Sequence, residues 1–335
     1  MAMGSDLRIF SGNSNPALAG GIADALGTEL GAIEFVRFSN ENIKVKICEN
    51  VRGCDVFIIQ TSCPPVNEYL MELLIALDAL KYASAGRITA VLPYFPYALS
   101  DSKDEPRISV ASRLVADLLT EAGADRILTM TLHSPQIVGF FRVPVDQLSG
   151  VPAICDHYSN LDLSNCVAAA PDISRAKVTE GYARRLGIPL VVIDRRHTKS
   201  GEARVHGVIG DVESKDAILF DDEIVTGESM LSGAVALRER GAETVFAGCV
   251  HGTLVDHAHD RVTEGSELDG LAVTDTIPPK RHESEGSKLA ICSVATQFAG
   301  AIKAIHDETS ISCLLYTSDA ADEGLGVDLG GRRII

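Results

Sequence analysis

Short apolar runs alternate with amphipathic stretches from one end of the chain to the other. Leu7–Phe10 reads as a strand, and Asn15-Pro16 then opens a helix with Leu18, Ile22 and Leu26 on one face and proline in its first turn. Asp55–Gln60 reads as a buried strand, and Asn67 is expected to cap a helix carrying Leu70, Leu73, Leu74, Leu77 and Leu80. Ile88–Leu92, Ser109–Glu121 and Arg126–Leu132 continue as strand, helix and strand. The β-α-β-α order predicts a mainly parallel sheet flanked by helices.

After Val143-Pro144-Val145-Asp146 the pattern restarts. Cys166–Ala169, Pro189–Ile193, Ala217–Phe220, Thr244–Val250 and Leu271–Asp275 read as strands, with helices at Arg175–Leu186 and Ser229–Arg240. The expectation is an α/β chain of two similar halves, residues 1–147 and 148–312, with the closing helix Val294–Ile305 packing back on the first. Residues 313–335 show neither period, offer little to bury around Asp319-Ala-Ala-Asp-Glu-Gly, and resemble non-native read-through; they are set aside as a tail.

The composition narrows the function classes. In 335 residues, 30 Lys and Arg stand against 46 Asp and Glu, a net charge of −16, which opposes a polyanion such as DNA over most of the surface. No nucleic-acid partner is expected, but a small phosphorylated substrate remains open, since amides, a few cations and a divalent metal can reverse the field inside one cleft. Apolar stretches such as Val56–Gln60 fall far short of the roughly 20 residues of a membrane helix. With no secretory signal before Leu7, and eight cysteines without a CxxC pair, the chain reads as a cytoplasmic protein with reduced, buried thiols.

Ligands of parallel α/β sheets bind beyond the carboxyl ends of strands. There the run Ala217–Phe220 leads into Asp221-Asp222-Glu223-Ile-Val225-Thr226-Gly227-Glu228-Ser229 and an amphipathic helix. Asp221 and Asp222 can accept hydrogen bonds from ribose hydroxyls, while amides around Thr226, Gly227 and Ser229 hold a 5′-phosphate. The same residues also suit an ordinary helix start with favourable acids and a hydroxyl cap. Asp172 and His133 end strands in different halves and suit a hard divalent cation, although each alone also fits a structural role.

Many separate blocks then carry a resemblance. Ser11-Gly-Asn13, Phe38-Ser39-Asn40, Glu49-Asn50-Val51-Arg52-Gly53, Met71-Glu72-Leu73-Leu74, Pro93-Tyr94-Phe95-Pro96-Tyr97-Ala98, Leu132-His133, Gln136-Ile137, Gly139-Phe140-Phe141, Pro171-Asp172, Asp221-Asp222, Asp275-Thr276-Ile277-Pro278 and Glu308-Thr309-Ser310 recur in order. In this they resemble the ribose-phosphate pyrophosphokinase family, over residues 7–312. The resemblance implies two phosphoribosyltransferase-like domains, the first on the ATP side and the second on the ribose 5-phosphate side. It also implies a homo-oligomer of dimers within hexamers, and transfer of the diphosphoryl group of Mg²⁺-bound ATP to ribose 5-phosphate, giving phosphoribosyl pyrophosphate (PRPP) and AMP. On that basis Phe38, Asn40, Asn42 and Asp101 hold ATP, with Phe38 stacking on adenine from a neighbouring subunit. Asp221, Asp222, Thr226, Gly227 and Ser229 hold ribose 5-phosphate, His133 and Asp172 the metal, and Arg195, His197 and His133 serve catalysis.

The departures from the family pattern cluster at ATP and in the catalytic hairpin. Leu99-Ser100-Asp101 stands for Arg-Gln-Asp, Asn42 for a carboxylate, Thr131 for Asp, and Arg195-Arg196-His197 for Lys-x-Arg. Val225 replaces an acid of the phosphate loop, and Glu228 a small residue. Arg is not equivalent to the compact ammonium of Lys, and a carboxylate beside a phosphate repels it. Three functions are therefore weighed: a divergent synthetase, an inert associated subunit that regulates an active partner, and a phosphoribosyl-transfer enzyme with another donor.

Overall fold

The computed structural model describes residues 6–197, 203–255, 257–279 and 287–311, without the side chains of 196, 197, 203 and 204. The tail beyond 311 lies outside them. The first half comprises β1 (Leu7–Ser11), α1 (Pro16–Leu26), β2 (Ile33–Arg37), β3 (Ile43–Ile47), β4 (Asp55–Ile59), α2 (Val66–Tyr82), β5 (Arg87–Leu92), α3 (Ala111–Ala122), β6 (Arg126–Met130) and β7 (Val145–Leu148). The second comprises α4 (Val151–Tyr158), β8 (Cys166–Ala170), α5 (Ala176–Leu186), β9 (Leu190–His197), β10 (Ala203–Ile209), β11 (Asp216–Ile224), α6 (Glu228–Glu239), β12 (Thr244–Gly252), α7 (Ala258–Glu264), β13 (Gly270–Thr274), β14 (Leu289–Cys292) and α8 (Ala295–His306).

The first sheet runs β1-β4-β5-β6-β7, all parallel, with β2 and β3 as a separate antiparallel hairpin. Strands buried on both faces read as continuous apolar runs, as in Asp55-Val-Phe-Ile-Ile59. Phe10, Val56, Ile58, Ala90 and Ile127 pack on one face against Leu73 and Leu77 of α2 and Val115 and Leu119 of α3. Ile9, Phe57, Ile59, Val91 and Leu128 pack on the other against Leu18 and Ile22 of α1 and Phe298, Ile302 and Ile305 of α8. The last helix among the described residues thus closes the core of the first sheet.

The second sheet runs β10-β9-β8-β11-β12-β13-β14, parallel except for the β9–β10 hairpin. From β8 the chain moves outward to β9 and β10, then returns to β11 on the other side of β8 and moves away from it. This places a topological switch point between β8 and β11, where a crevice opens at the carboxyl ends of the strands. The first sheet runs in sequence order and has no such point, so the halves differ in topology.

Several local expectations are corrected. Asn15 does cap α1, accepting from the amide of Leu18 at 3.2 Å. Asn67 does not cap α2, which begins at Val66 after Pro65; its Oδ1 instead accepts a hydrogen bond from the Tyr97 hydroxyl. Pairing with β12 carries β11 past Phe220 to Ile224, so Asp221 and Asp222 sit within the strand and not in the loop after it. The thiol of Cys48 is exposed and that of Cys292 is half-buried, whereas Cys54, Cys63, Cys155, Cys166 and Cys249 are buried.

Candidate active site at the β8–β11 switch point

A cleft of about 290 Å³ lies at the switch point. It brings together His133, Asp172, Arg195, Asp221, Asp222, Thr226, Gly227 and Ser229, which the sequence placed in separate blocks, and adds Arg175, Glu223 and Glu228. Phe38, Asn40, Asn42 and Asp101 are not among its lining residues. The side chain of His197 falls outside the described residues, although its backbone ends β9.

The phosphate-loop candidate is built by Gly227, which adopts φ +75°, and a Cβ there would lie 2.8 Å from Cγ1 of Val262. This sharp turn starts α6 at Glu228, and the first amides of a helix have no partners within it. They form a natural anion seat.

His133 reaches the cleft from the loop after β6. Two residues earlier, Thr131 takes φ +42°, a conformation disfavoured for a β-branched residue. Three hydrogen bonds hold it there: its amide donates to Leu148 O (2.9 Å), its hydroxyl accepts from the Gly150 amide (2.9 Å), and its carbonyl faces His251 Nε2 (3.0 Å). Strain of this kind persists only where surrounding structure over-determines it.

Five carboxylates line the cleft against two guanidiniums and one imidazole, so how each acid is compensated decides what can bind. Asp222 Oδ2 lies 2.7 Å from His133 Nδ1, and its Oδ1 lies 3.1 Å from Arg175 Nη2. Burial alone would raise its pKa, but His133, Asp221 and Arg175 together hold it below the usual carboxylate range. Asp221 is driven the other way, by burial first and then by adjacent Asp222. Burial likewise raises Glu223, against the hydrogen bonds it accepts from Tyr94 (2.5 Å) and Thr253 (3.0 Å). Within the acidic wall Asp222 is thus biased toward its ionised form, and Asp221 and Glu223 away from it.

Arg175 is the residue that sequence reasoning missed, having been read only as the start of a helix. Its Nη2 lies 2.7 and 3.1 Å from the two ring nitrogens of His133, and its Nε lies 3.6 Å from Asp221 Oδ1. No signal in the linear sequence marks it, because its partners come from two other blocks, far along the chain. Arg195 lies across the cleft with its Nε buried and without a hydrogen-bond partner among the described residues.

For a divalent cation the residues present fit in part. Mg²⁺ is commonly held by one or two carboxylates plus substrate phosphates, and Asp172 can supply one. Its Oδ1 meanwhile accepts from the Ser174 hydroxyl (2.5 Å) and the Arg175 amide (3.1 Å). His133 does not fit as a ligand in this arrangement, because the Arg175 guanidinium stands against both of its ring nitrogens. Among the described residues no three of His, Cys, Asp and Glu converge as a ready-made cage.

The residues expected at ATP lie elsewhere. Phe38 is 49% exposed in the turn after β2, where its amide donates to Asn42 O (2.9 Å) and the Asn42 amide donates to Asn40 Oδ1 (3.2 Å). The two asparagines thus shape the hairpin that presents the ring. Asp101 is slightly buried, and hydrogen bonds from Ser134 and Ser102 outweigh that to hold its pKa below the usual range.

Two mainly parallel sheets, with a helix start and an acidic pair at the switch point of the second, define an α/β protein of the phosphoribosyltransferase-like class. Comparison with known proteins makes this specific. Residues 7–123 match the family model described as the N-terminal domain of ribose phosphate pyrophosphokinase, and residues 197–316 the phosphoribosyl synthetase-associated domain. A ribose-phosphate pyrophosphokinase of Clostridium acetobutylicum is 45% identical over 311 residues, covering 92% of this chain and 97% of its own. One of Deinococcus radiodurans is 45% identical over 314 residues, covering 92% and 98%. The crystal structure of phosphoribosylpyrophosphate synthetase from Mycobacterium smegmatis superposes with a TM-score of 0.82 at 38% identity, over 91% of this chain and 100% of that one. The chain belongs to the ribose-phosphate pyrophosphokinase family.

Proposed function

We propose that this protein is a working synthetase, transferring the diphosphoryl group of ATP, taken up as its Mg²⁺ complex, to the anomeric hydroxyl of ribose 5-phosphate to give PRPP and AMP. The observation that supports it most is that an acidic pair and a helix-start anion seat, a few residues apart in the chain, line one switch-point cleft. That spacing suits a sugar whose hydroxyls and 5′-phosphate are read separately. Phosphoryl transfer asks the protein chiefly for positioning and charge compensation.

Thr226, Gly227 and Ser229 seat the 5′-phosphate, and Asp221 and Asp222 face the ribose hydroxyls. Arg195, whose Nε has no hydrogen-bond partner among the described residues, is placed to bind an oxygen of the transferring group, and His197 follows it two residues along the same strand. The divalent cation offsets charge on the nucleotide's phosphate chain when bound, and Asp172 is the carboxylate suited to it. Within this reading residues 1–147 serve ATP and 148–312 the sugar phosphate.

The exposed Phe38 hairpin supports assembly. An aromatic ring held out by Asn40 and Asn42, away from the cleft of its own chain, suits a nucleotide site completed between copies, as in a dimer-based hexamer. Buried free thiols suit a reducing cytoplasm, and among the described residues no helix is long and apolar enough to cross a membrane.

The test is the appearance of AMP and PRPP from ATP and ribose 5-phosphate with purified protein and Mg²⁺. Product is expected with the metal and not in excess EDTA. Binding of ribose 5-phosphate without any AMP would overturn the reading in favour of an inert subunit.

A further inference from the structure

The Arg175 guanidinium sits against the acidic pair and the imidazole of the cleft. It is 17% exposed and ends the short turn Ile173–Arg175, which Asp172 caps. Its donors reach Asp222 Oδ1 at 3.1 Å, Asp221 Oδ1 at 3.6 Å and the ring nitrogens of His133 at 2.7 and 3.1 Å. An ionised carboxylate is acceptor-only, so each oxygen satisfied by a guanidinium is one that a sugar hydroxyl or a cation must compete for. Two cations cannot share this contact, because in a cleft of low effective dielectric their repulsion far exceeds its value in water.

We propose that Arg175 is a resident counter-cation of the cleft: in the substrate-free protein it pairs with Asp221 and Asp222 and stands against the ring nitrogens of His133, and it must withdraw before a divalent cation or the ribose hydroxyls can engage them. The sugar half of this statement rests on the proposed function; the cation half does not. The physical logic is that of a minor binding-competent state. If the side chain is withdrawn in only a fraction of molecules, apparent affinity falls by that fraction, and removing the guanidinium restores it. A planar, permanently charged fork suits such a role better than lysine, whose compact ammonium prefers water.

Mn²⁺ is the probe, followed by electron paramagnetic resonance and by melting temperature, on nucleotide-free wild type and on Arg175→Ala, Arg175→Gln and Arg175→Lys. Arg175→Ala is expected to bind Mn²⁺ at least tenfold more tightly than wild type, Arg175→Gln to follow it, and Arg175→Lys to fall between. The rise in melting temperature on adding Mn²⁺ should be larger in the alanine variant even if it starts from a lower value. Equal or weaker Mn²⁺ binding in Arg175→Ala overturns the proposal. So does failure of all three variants to fold with Mn²⁺ present, since a displaceable cation cannot be indispensable to the fold. Neither readout uses turnover, so the outcome stands whether or not AMP is formed. If it is formed, the KM for ribose 5-phosphate should fall in Arg175→Ala.

Discussion

The imidazole Nε2 of His251 lies 3.0 Å from the main-chain oxygen of Thr131. A buried side chain at the end of β12 thereby grips the strained peptide from which the His133 loop departs. Nε2 also lies 3.2 Å from Met130 O, while Nδ1 faces the Thr276 hydroxyl at 2.9 Å. Both carbonyls require a donor, so Nε2 carries the proton and Nδ1 accepts.

His251 is held neutral, its pKa depressed by burial to about 4 from an ordinary 6.5. Between those values the unfolded chain binds a proton that the folded one does not, so stability is present above about pH 6.5 and is lost as pH falls toward 4. The loss is on the order of 3 kcal/mol. Urea unfolding at pH 7 and pH 5 should show His251→Asn less stable than wild type at pH 7 but losing less between the two. An unchanged pH slope would refute this origin.

Tyr94 and Glu223 join the first sheet to the strand bearing the acidic pair. Tyr94→Phe removes one of the two hydrogen bonds that restrain the already raised pKa of Glu223, and is expected to cost about 1–3 kcal/mol. Thr253→Val removes the other. Because both act on one carboxylate, the double variant should differ from the sum of the singles by more than 0.5 kcal/mol in denaturant titrations.

Leu99 lines the cleft, and its family counterpart is Arg. Leu99→Arg is expected to lower the ATP KM by roughly tenfold or more, as a gained charge-assisted contact would. Ser100 is different. Its hydroxyl accepts from the Ala111 amide (3.3 Å) at the start of α3, and its carbonyl accepts from the Ser112 hydroxyl (3.0 Å). Ser100→Gln should therefore cost about 0.5–2 kcal/mol of stability, as loss of a cap does, whatever it adds at the nucleotide.

Glu228 opens α6 beside the anion seat. Glu228→Ala should lower the KM for ribose 5-phosphate several-fold by removing a repulsive charge, with the gain shrinking as salt rises. The same change forfeits about 0.3–1 kcal/mol of favourable interaction with the helix dipole. Opposite movements of KM and melting temperature are the signature to look for.

Asp55 lies at the amino end of β4, away from the cleft. It accepts two hydrogen bonds from Arg87 (2.8 and 2.6 Å) and one from His306 (2.9 Å), while Arg87 also donates to Ile305 O (2.9 Å). This group clamps the end of α8 to the first sheet. Asp55→Asn leaves the Arg87 guanidinium without its counter-charge and should cost about 3 kcal/mol, lowering the urea midpoint while leaving both KM values unchanged.

What the sequence by itself determined were the features carried by local period and local composition. The alternation of apolar runs located most strands and helices, since burial on both faces of a parallel strand leaves a contiguous apolar signature. Asn15-Pro16 marked the start of α1, and the family blocks marked Asp172, His133 and the Asp221–Ser229 segment. Other features depended on partners far along the chain, and only the tertiary structure decided them. Asp221 and Asp222 looked like loop residues because charge ends an apolar run, yet β11 continues through them, their burial offset by His133 and Arg175. Strand order placed the switch point between β8 and β11, and no residue pattern encodes which neighbour a strand takes. Arg175 acquires its role only when β6, β8 and β11 bring three carboxyl ends together: a guanidinium's function is set by the acids it meets, and those lie 46 and 47 residues away.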